Sequence, residues 1–495
     1  MALSEKTAIT LAALALALGV FARLFGFAVL PESAYADSLF HLRIISEALK
    51  TGIIQTPDML TTPLYHYLNF AFYSITRLPV QMPFIRIIPF FVMLAQIILS
   101  FLIISRLFKS RAAILGGTAF VAVFPWLVRY SPVNYIDSFA SVMLLLFYFL
   151  LLRSLEKPSK TSLAFLCLSI PLVVLSKITV AILLPILLVS CWVLLSKKTS
   201  KQLLVGVVSV AFVLSIAWFA FSYFSNPSSA APAAETVSRA LPWHALLPQN
   251  LFKSFISFFD FPPDSAFSNF PLLKQIQWLP AALAFALLAL PLAFFALKGA
   301  WSALREKSKI LLSMLSCFLL LLALAAYNSI DNNGVFYVRY LIPVISLVGF
   351  FFAKGIETEK PGRLKTAAFA ALLLFAFYSA ALSSFSALQY KSIAESEMPL
   401  YDAISHLPED SKIASLNKYR QVSFYSGKES SGLAGIGSNS AGFQVYAALE
   451  GQGFSHLAVT CYNDDWNPAV LQELERQGKL ASVFSRDCLN LFEIK

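Results

Sequence analysis

Long apolar runs dominate the pattern of hydrophobic and polar positions, most of them near the roughly 20 residues that a helix needs to cross a bilayer. They fall at about 7–30, 84–105, 112–128, 135–152, 161–176, 178–195, 202–224, 278–297, 310–327, 338–353 and 366–386. Charged or Pro-, Gly- and Asn-rich connections separate them, so the pattern predicts about eleven transmembrane helices. Between the fifth and sixth only Ser176 and Lys177 mark the break.

Three stretches depart from this pattern. Directly after the first run, PESAYADSLFHLRIISEALKTG (Pro31–Gly52) takes on a helical period. A helix opening at Asp37 places His41 one turn on, projecting from the same side, with Leu39, Leu42, Ile45 and Leu49 on a separate apolar stripe. Such a helix suits a membrane surface and would hold a carboxylate and an imidazole where lipid meets water. Asp37 also fits a helix N-cap at the positive end of the helix dipole. The second stretch, about 225–277, carries Pro227, Pro232, Pro242, Pro248, Pro262 and Pro263, and is broken into short pieces such as the amphipathic LFKSFISFF. It reads equally as a lid or as a passive surface loop. From about Ser392 the composition becomes that of a small globular domain: PEDSKIASLN, HLAVT at 456–460, PAVLQELERQ, LASVFS and CLNLFEI read as an α/β unit. GLAGIGSNSAG at 432–442 lacks the spacing and the following Lys-Ser/Thr that would cradle phosphates. The organisation is a membrane domain at 1–388, with outer loops at 31–83 and 225–277, and a soluble domain at 389–495.

With 58% hydrophobic and only 13% charged residues, the chain is a polytopic α-helical membrane protein and not a soluble one. The net charge of +11 is scattered in short Lys/Arg clusters without a continuous basic face, which excludes a nucleic-acid partner. These clusters act as topology signals: Lys6, Arg106–Arg111, Arg153–Lys160, Lys197–Lys201, Lys298–Lys309 and Lys354–Lys365 share one side, which the positive-inside rule makes cytoplasmic. The first run lacks a small-residue cleavage site and reads as a retained span. The N-terminus is then cytoplasmic, the Asp37 stretch and the tail extracytoplasmic, and the membrane the cell membrane. Cys167, Cys191 and Cys317 lie in apolar runs; Cys461 and Cys488 lie in the tail, where they either pair or remain free thiols.

Charges at a membrane boundary are costly, so the exceptions are informative. Arg23 sits inside the first span, Arg129 ends the third, Lys177 marks the fifth-to-sixth break, Arg339 begins the tenth, and Asp137 opens the fourth within RYSPVNYIDSFAS. In the topology above they meet Asp37 and His66 at one depth on one face. A single case would be snorkelling. Several together point to a pocket for an anionic lipid headgroup, with carboxylates for proton abstraction or a metal.

Asp37 with its helix, TTPLYHYL at 61–68, the RYSPVNYID loop, LSKITVAILLP at 175–185 and FYVRYLIPVISLVGFFFAKGIE at 336–357 together resemble the membrane-integral GT-C glycosyltransferases. The flavour is that of the protein O-mannosyltransferase, aminoarabinose transferase and RgtA-like branches. The resemblance implies a GT-C-like bundle with a small C-terminal α/β extracytoplasmic domain. It also implies a polyprenyl-phosphate-linked sugar donor, an acceptor that is a protein, lipid or glycan, and Asp37 as catalytic base. Members often carry a second acid beside that position; here Ala36 precedes and Ser38 follows. No metal ligand is therefore assigned, and a divalent ion stays open as a cofactor. DSLFHLRIISEAL and the segment Arg129–Asp137 also resemble the oligosaccharyltransferase catalytic subunit, but the tail lacks a WWDYG-type motif and Asp137 is followed by Ser138 and Phe139.

A sugar on a polyprenyl phosphate has an anionic, acidic leaving group, so its departure needs cations and no general acid, whereas the acceptor hydroxyl needs a base. In-line attack inverts the anomeric centre. For the donor phosphate the candidates are Arg339 first, then Lys177, Arg23 and Arg129. Candidates for substrate contact are His41, His66, Tyr65, Asp137, Tyr337 and Tyr340; aromatics at membrane interfaces are also common without such a role. The rival from another class is a lipid-linked sugar flippase, which would show internal repeats near mid-membrane. No such repeat is present.

Overall fold

The computed structural model describes residues 5–31, 36–54, 63–81, 83–225, 247–261, 277–327, 338–360, 362–416, 418–433, 442–460 and 467–495. Tyr337, Cys461, most of the 225–277 connection and most of the glycine-rich 432–442 stretch lie outside them. The chain divides into two compact units, one of 1–28 and 48–384, the other of 29–47 and 385–495. Most of the helix after the first span thus groups with the C-terminal segment from 385 onward.

The first unit is a helix bundle. Its helices are α1 (Glu5–Val29, whose last residue belongs to the second unit), α3 (Leu64–Thr76), α4 (Ile87–Leu107), α5 (Arg111–Val123), the short α6 (Pro125–Tyr130), α7 (Ile136–Glu156), α8 (Lys160–Val174), α9 (Ile178–Ala181), α10 (Leu184–Leu195), α11 (Lys201–Ser225), α12 (Pro248–Phe258), α13 (Trp278–Arg305), α14 (Lys309–Tyr327), α15 (Ile342–Thr358) and the start of α16 (Arg363–Ser405). Between the first and third comes α2 (Ala36–Thr51). Among the described residues eight segments are long and apolar enough to span a membrane, and three shorter apolar helices occupy 111–123, 160–174 and 201–217. Each of the predicted runs is therefore helical.

Small residues let the helices approach closely, since dispersion contacts drive association in lipid. A Cβ at Gly299 would lie 1.8 Å from the Phe351 carbonyl oxygen and one at Gly355 2.0 Å from that of Phe295, so the α13 and α15 backbones touch. A buried polar chain ties five helices together. Arg23 on α1 donates to the carbonyls of Val121 and Ala122 and to Gln96, Gln96 donates to Ser141, and Ser141 meets Ser346. Arg23 is wholly enclosed with its guanidinium on interior acceptors, which corrects its assignment to the donor phosphate. It closes the C-terminal end of α5, where carbonyls lack helical partners.

The second unit is a three-layer α/β domain. Strands β1 (Lys412–Ala414), β2 (Glu429–Ser431), β3 (His456–Val459), β4 (Leu480–Arg486) and β5 (Leu489–Ile494) form one sheet in the order β2-β1-β3-β5-β4. β1 is parallel to β2 and β3, whereas β5 is antiparallel to β3 and β4. Side chains alternate as the pleat requires. Ala414, Leu457 and Phe492 face α18 (Gly442–Gly451) and α19 (Pro468–Arg476), while Ile413, Ala458 and Leu491 face the end of α16 and α17 (Tyr419–Ser426). Cys488, in the β4–β5 turn, is disulfide-bonded.

Candidate functional site

In the bundle, the link from α6 to α7 is held from both sides. Tyr65 donates to the Asn134 side chain at 2.9 Å, and Asn134 donates to the Ile85 carbonyl at 2.8 Å. Tyr65 is buried and packs on Phe139, so it supports this link instead of presenting a face to substrate. The neighbouring His66 is buried as well. The link delivers Asp137 in the first turn of α7, where the helix dipole favours a carboxylate.

Asp137 is fully buried and held by two cations, forming an ion pair with Lys177 and lying 3.7 Å from Arg339 Nε. Lys177 comes from the extended residue that separates α8 from α9, the break that the sequence marked. Its ammonium stands 5.5 Å from the centre of the Tyr340 ring, and the Arg339 guanidinium 4.5 Å from that of Tyr135. Among the described residues two cations thus face this one carboxylate, and Arg339 is 26% exposed where Lys177 is 6%. Asp137 is paired with Lys177 and near Arg339 on its two oxygens.

Arg339 and Tyr340 sit on one 3-10 turn, Val338–Leu341. The other two residues of that turn, Val338 and Leu341, line an apolar cavity of about 390 Å3. Leu251, Phe255 and Phe258 of α12, Ala296 of α13, Phe318 of α14 and Phe351 of α15 line the rest of it, together with Phe259.

A second ion pair borders the same cavity. Arg129 Nη2 lies 2.9 Å from Asp260 Oδ2, directly after the cavity residue Phe259. Asp260 is buried and has a φ of +63°, a left-handed conformation that Asp tolerates better than most residues. Burial pushes its carboxyl up to about 6 against the opposing pull of Arg129. Between the two pairs runs an aromatic stack: Trp126 on Tyr130 at 5.8 Å and Tyr130 on Tyr135 at 4.7 Å, with the Arg129 guanidinium 5.5 Å from Trp126. Asp137, Lys177, Arg339, Tyr340 and Arg129 therefore gather in one region of the bundle, and Arg23 does not. Asp260 was missed, although an acid inside the apolar ISFFDFPP is a readable anomaly.

Asp37 belongs to the second unit. It lies in the first turn of α2, as the sequence predicts, and pairs with Arg420 Nη1 of α17 at 2.8 Å. The same guanidinium stands 5.2 Å from the Phe40 ring. Leu39, Leu42, Ile45 and His41 are all buried, so this helix is packed in protein and not laid on a lipid surface. A buried Lys418–Glu397 ion pair fixes the start of α17, and Tyr401 donates to the same carboxylate. Nothing in the sequence marked Arg420, one of three arginines after residue 389. Among the described residues no group of His, Cys, Asp or Glu is arranged to hold a metal ion.

Residues 56–223 match the family model for dolichyl-phosphate-mannose-protein mannosyltransferases. No curated protein sequence matches the chain. Among solved structures, ArnT from Cupriavidus metallidurans bound to undecaprenyl phosphate is similar at 12% identity with a TM-score of 0.58, covering 99% of this chain and 98% of that one. The apo state of the same protein gives 13% and 0.57, over 96% and 97%. The oligosaccharyltransferase of Archaeoglobus fulgidus in the apo form gives 14% and 0.53, over 90% and 69%. At these identities the likeness is one of fold.

Proposed function

We propose that this integral membrane protein, which has the fold of the GT-C glycosyltransferases, transfers a sugar from a polyprenyl-phosphate carrier to an acceptor hydroxyl, with inversion, on the extracytoplasmic face. One observation carries this reading. A single 3-10 turn gives Val338 and Leu341 to an apolar cavity and Arg339 and Tyr340 to a cluster in which Lys177 and Arg339 meet Asp137. An isoprenoid chain in the cavity would bring its phosphate to Arg339, with Lys177 behind it. The solved ArnT structure with undecaprenyl phosphate supports a lipid phosphate as ligand of this fold.

In the reaction, the acceptor oxygen attacks the anomeric carbon as the bond to the phosphate oxygen breaks. The acceptor proton passes to the Asp37 carboxylate, and the electron pair leaves with the polyprenyl phosphate, whose charge Arg339 and Lys177 neutralise. The disulfide at Cys488 supports an oxidising compartment for the tail, hence a cytoplasmic N-terminus in the cell membrane. The acceptor is a protein, lipid or glycan carrying a free hydroxyl.

The test is binding of undecaprenyl phosphate to the purified protein in detergent. Arg339→Ala weakens it about tenfold or more, and unchanged affinity removes the donor site from this position.

A further inference from the structure

The Arg129–Asp260 pair lies across the aromatic stack from the Asp137 cluster and beside the wall of the cavity. The C-terminal end of α12 is fastened at three points: Asp260 to Arg129 at 2.9 Å, the Ser257 carbonyl to Trp126 Nε1 at 3.0 Å, and the Asp260 carbonyl to the Tyr378 hydroxyl at 3.2 Å. Two of these run to α6, the helix whose Trp126 and Tyr130 begin the stack that ends on Tyr135 and the Arg339 guanidinium. The left-handed turn at Asp260 is the bend that brings its carboxylate back to Arg129 while Phe258 and Phe259 stay in the cavity lining. A buried acid in a sparsely populated backbone conformation is retained only where its surroundings over-determine it.

We propose that Arg129 and Asp260 are positioning residues for the lipid phosphate: their pair sets α12 as one wall of the isoprenoid cavity and, through the Trp126–Tyr130–Tyr135 stack, fixes where Arg339 stands. This rests on the donor site proposed above. Neither residue contacts the phosphate in this scheme; they act through the wall and through Arg339.

The charged and titratable groups facing Asp260 are Arg129, Tyr130 and Tyr378, with Arg339 and Asp137 beyond Tyr130. Burial raises the carboxyl of Asp260 to about 6, so acidification neutralises it and weakens its pairing with Arg129.

The experiment measures undecaprenyl phosphate affinity of wild type, Asp260→Asn, Asp260→Gly and Arg339→Ala across pH. Both Asp260 variants keep a residue suited to the left-handed turn, so they separate the charge from the backbone bend. At neutral pH each binds about five- to tenfold more weakly than wild type, and the ratio closes towards unity below pH 6, where wild-type Asp260 is itself neutral. The phosphate titrates in the same range, but equally for all variants, and cancels in the ratio. An equal affinity at neutral pH, or a ratio that stays constant with pH, overturns the proposal. Loss of binding in Arg339→Ala together with either result leaves the donor site intact and removes only this inference. Unchanged binding in Arg339→Ala removes the donor site, and this inference with it.

Discussion

Arg420 Nη1 lies 2.8 Å from Asp37 Oδ1, although 383 residues separate them in the chain. The carboxylate proposed as base is thus held within the second unit, by a residue of its C-terminal segment. Transfer from a polyprenyl-phosphate sugar falls by about a hundredfold or more in Asp37→Asn, as loss of a general base requires. Arg420→Gln lowers the turnover rate and leaves undecaprenyl phosphate affinity unchanged, because the side chain of Arg420 pairs with Asp37 and not with Arg339 or Lys177. Full turnover in either variant, measured in proteoliposomes with the protein correctly inserted, removes the corresponding role.

The Lys177–Asp137 pair is almost entirely enclosed. Removing one partner leaves a charge in the interior, at a cost of about 3 kcal/mol even with Arg339 remaining nearby. Lys177→Met therefore lowers the thermal unfolding midpoint in detergent, and adding Asp137→Leu recovers most of it. A double variant no more stable than the single one refutes the pairing as the source of the loss.

The contact between α13 and α15 leaves no room for a methyl group at Gly299. Alanine improves helix propensity by about 1 kcal/mol, but forcing a Cβ to 1.8 Å from the Phe351 carbonyl outweighs it. Gly299→Ala destabilises the protein by about 2 kcal/mol or more, read by thermal unfolding. Gly206→Ala, inside α11 where nothing lies within 4 Å of the added atom, keeps the propensity gain and raises the midpoint slightly.

Burial raises the Asp260 carboxyl to about 6 from an ordinary 3.8. The folded state therefore holds this proton more tightly than the unfolded chain. Stability from this group is present below 3.8 and is lost as pH rises through about 6. Asparagine does not titrate, so the midpoint of Asp260→Asn relative to wild type rises across that window. A difference independent of pH contradicts the raised carboxyl.

The apolar runs by themselves determined the bundle, because in lipid every backbone polar group must be satisfied within its own helix and length alone sets a span. The same local logic exposed the α/β tail and the break at Lys177. Cationic exceptions to the apolar pattern also marked Lys177, Arg129 and Arg339, since a charge in such a setting costs too much without a partner, and each of them lies beside a buried carboxylate. Arg23 broke that rule in the sequence for a reason only the tertiary structure supplied: the open carbonyls at the end of α5 lie beside it and take its guanidinium. Asp260 and Arg420 depended wholly on the third dimension. One becomes a partner through a left-handed turn that folds it back on Arg129; the other is carried to Asp37 by a helix on the face of a sheet. Which cation meets which carboxylate is decided by packing between distant segments, and no local period in the chain encodes it.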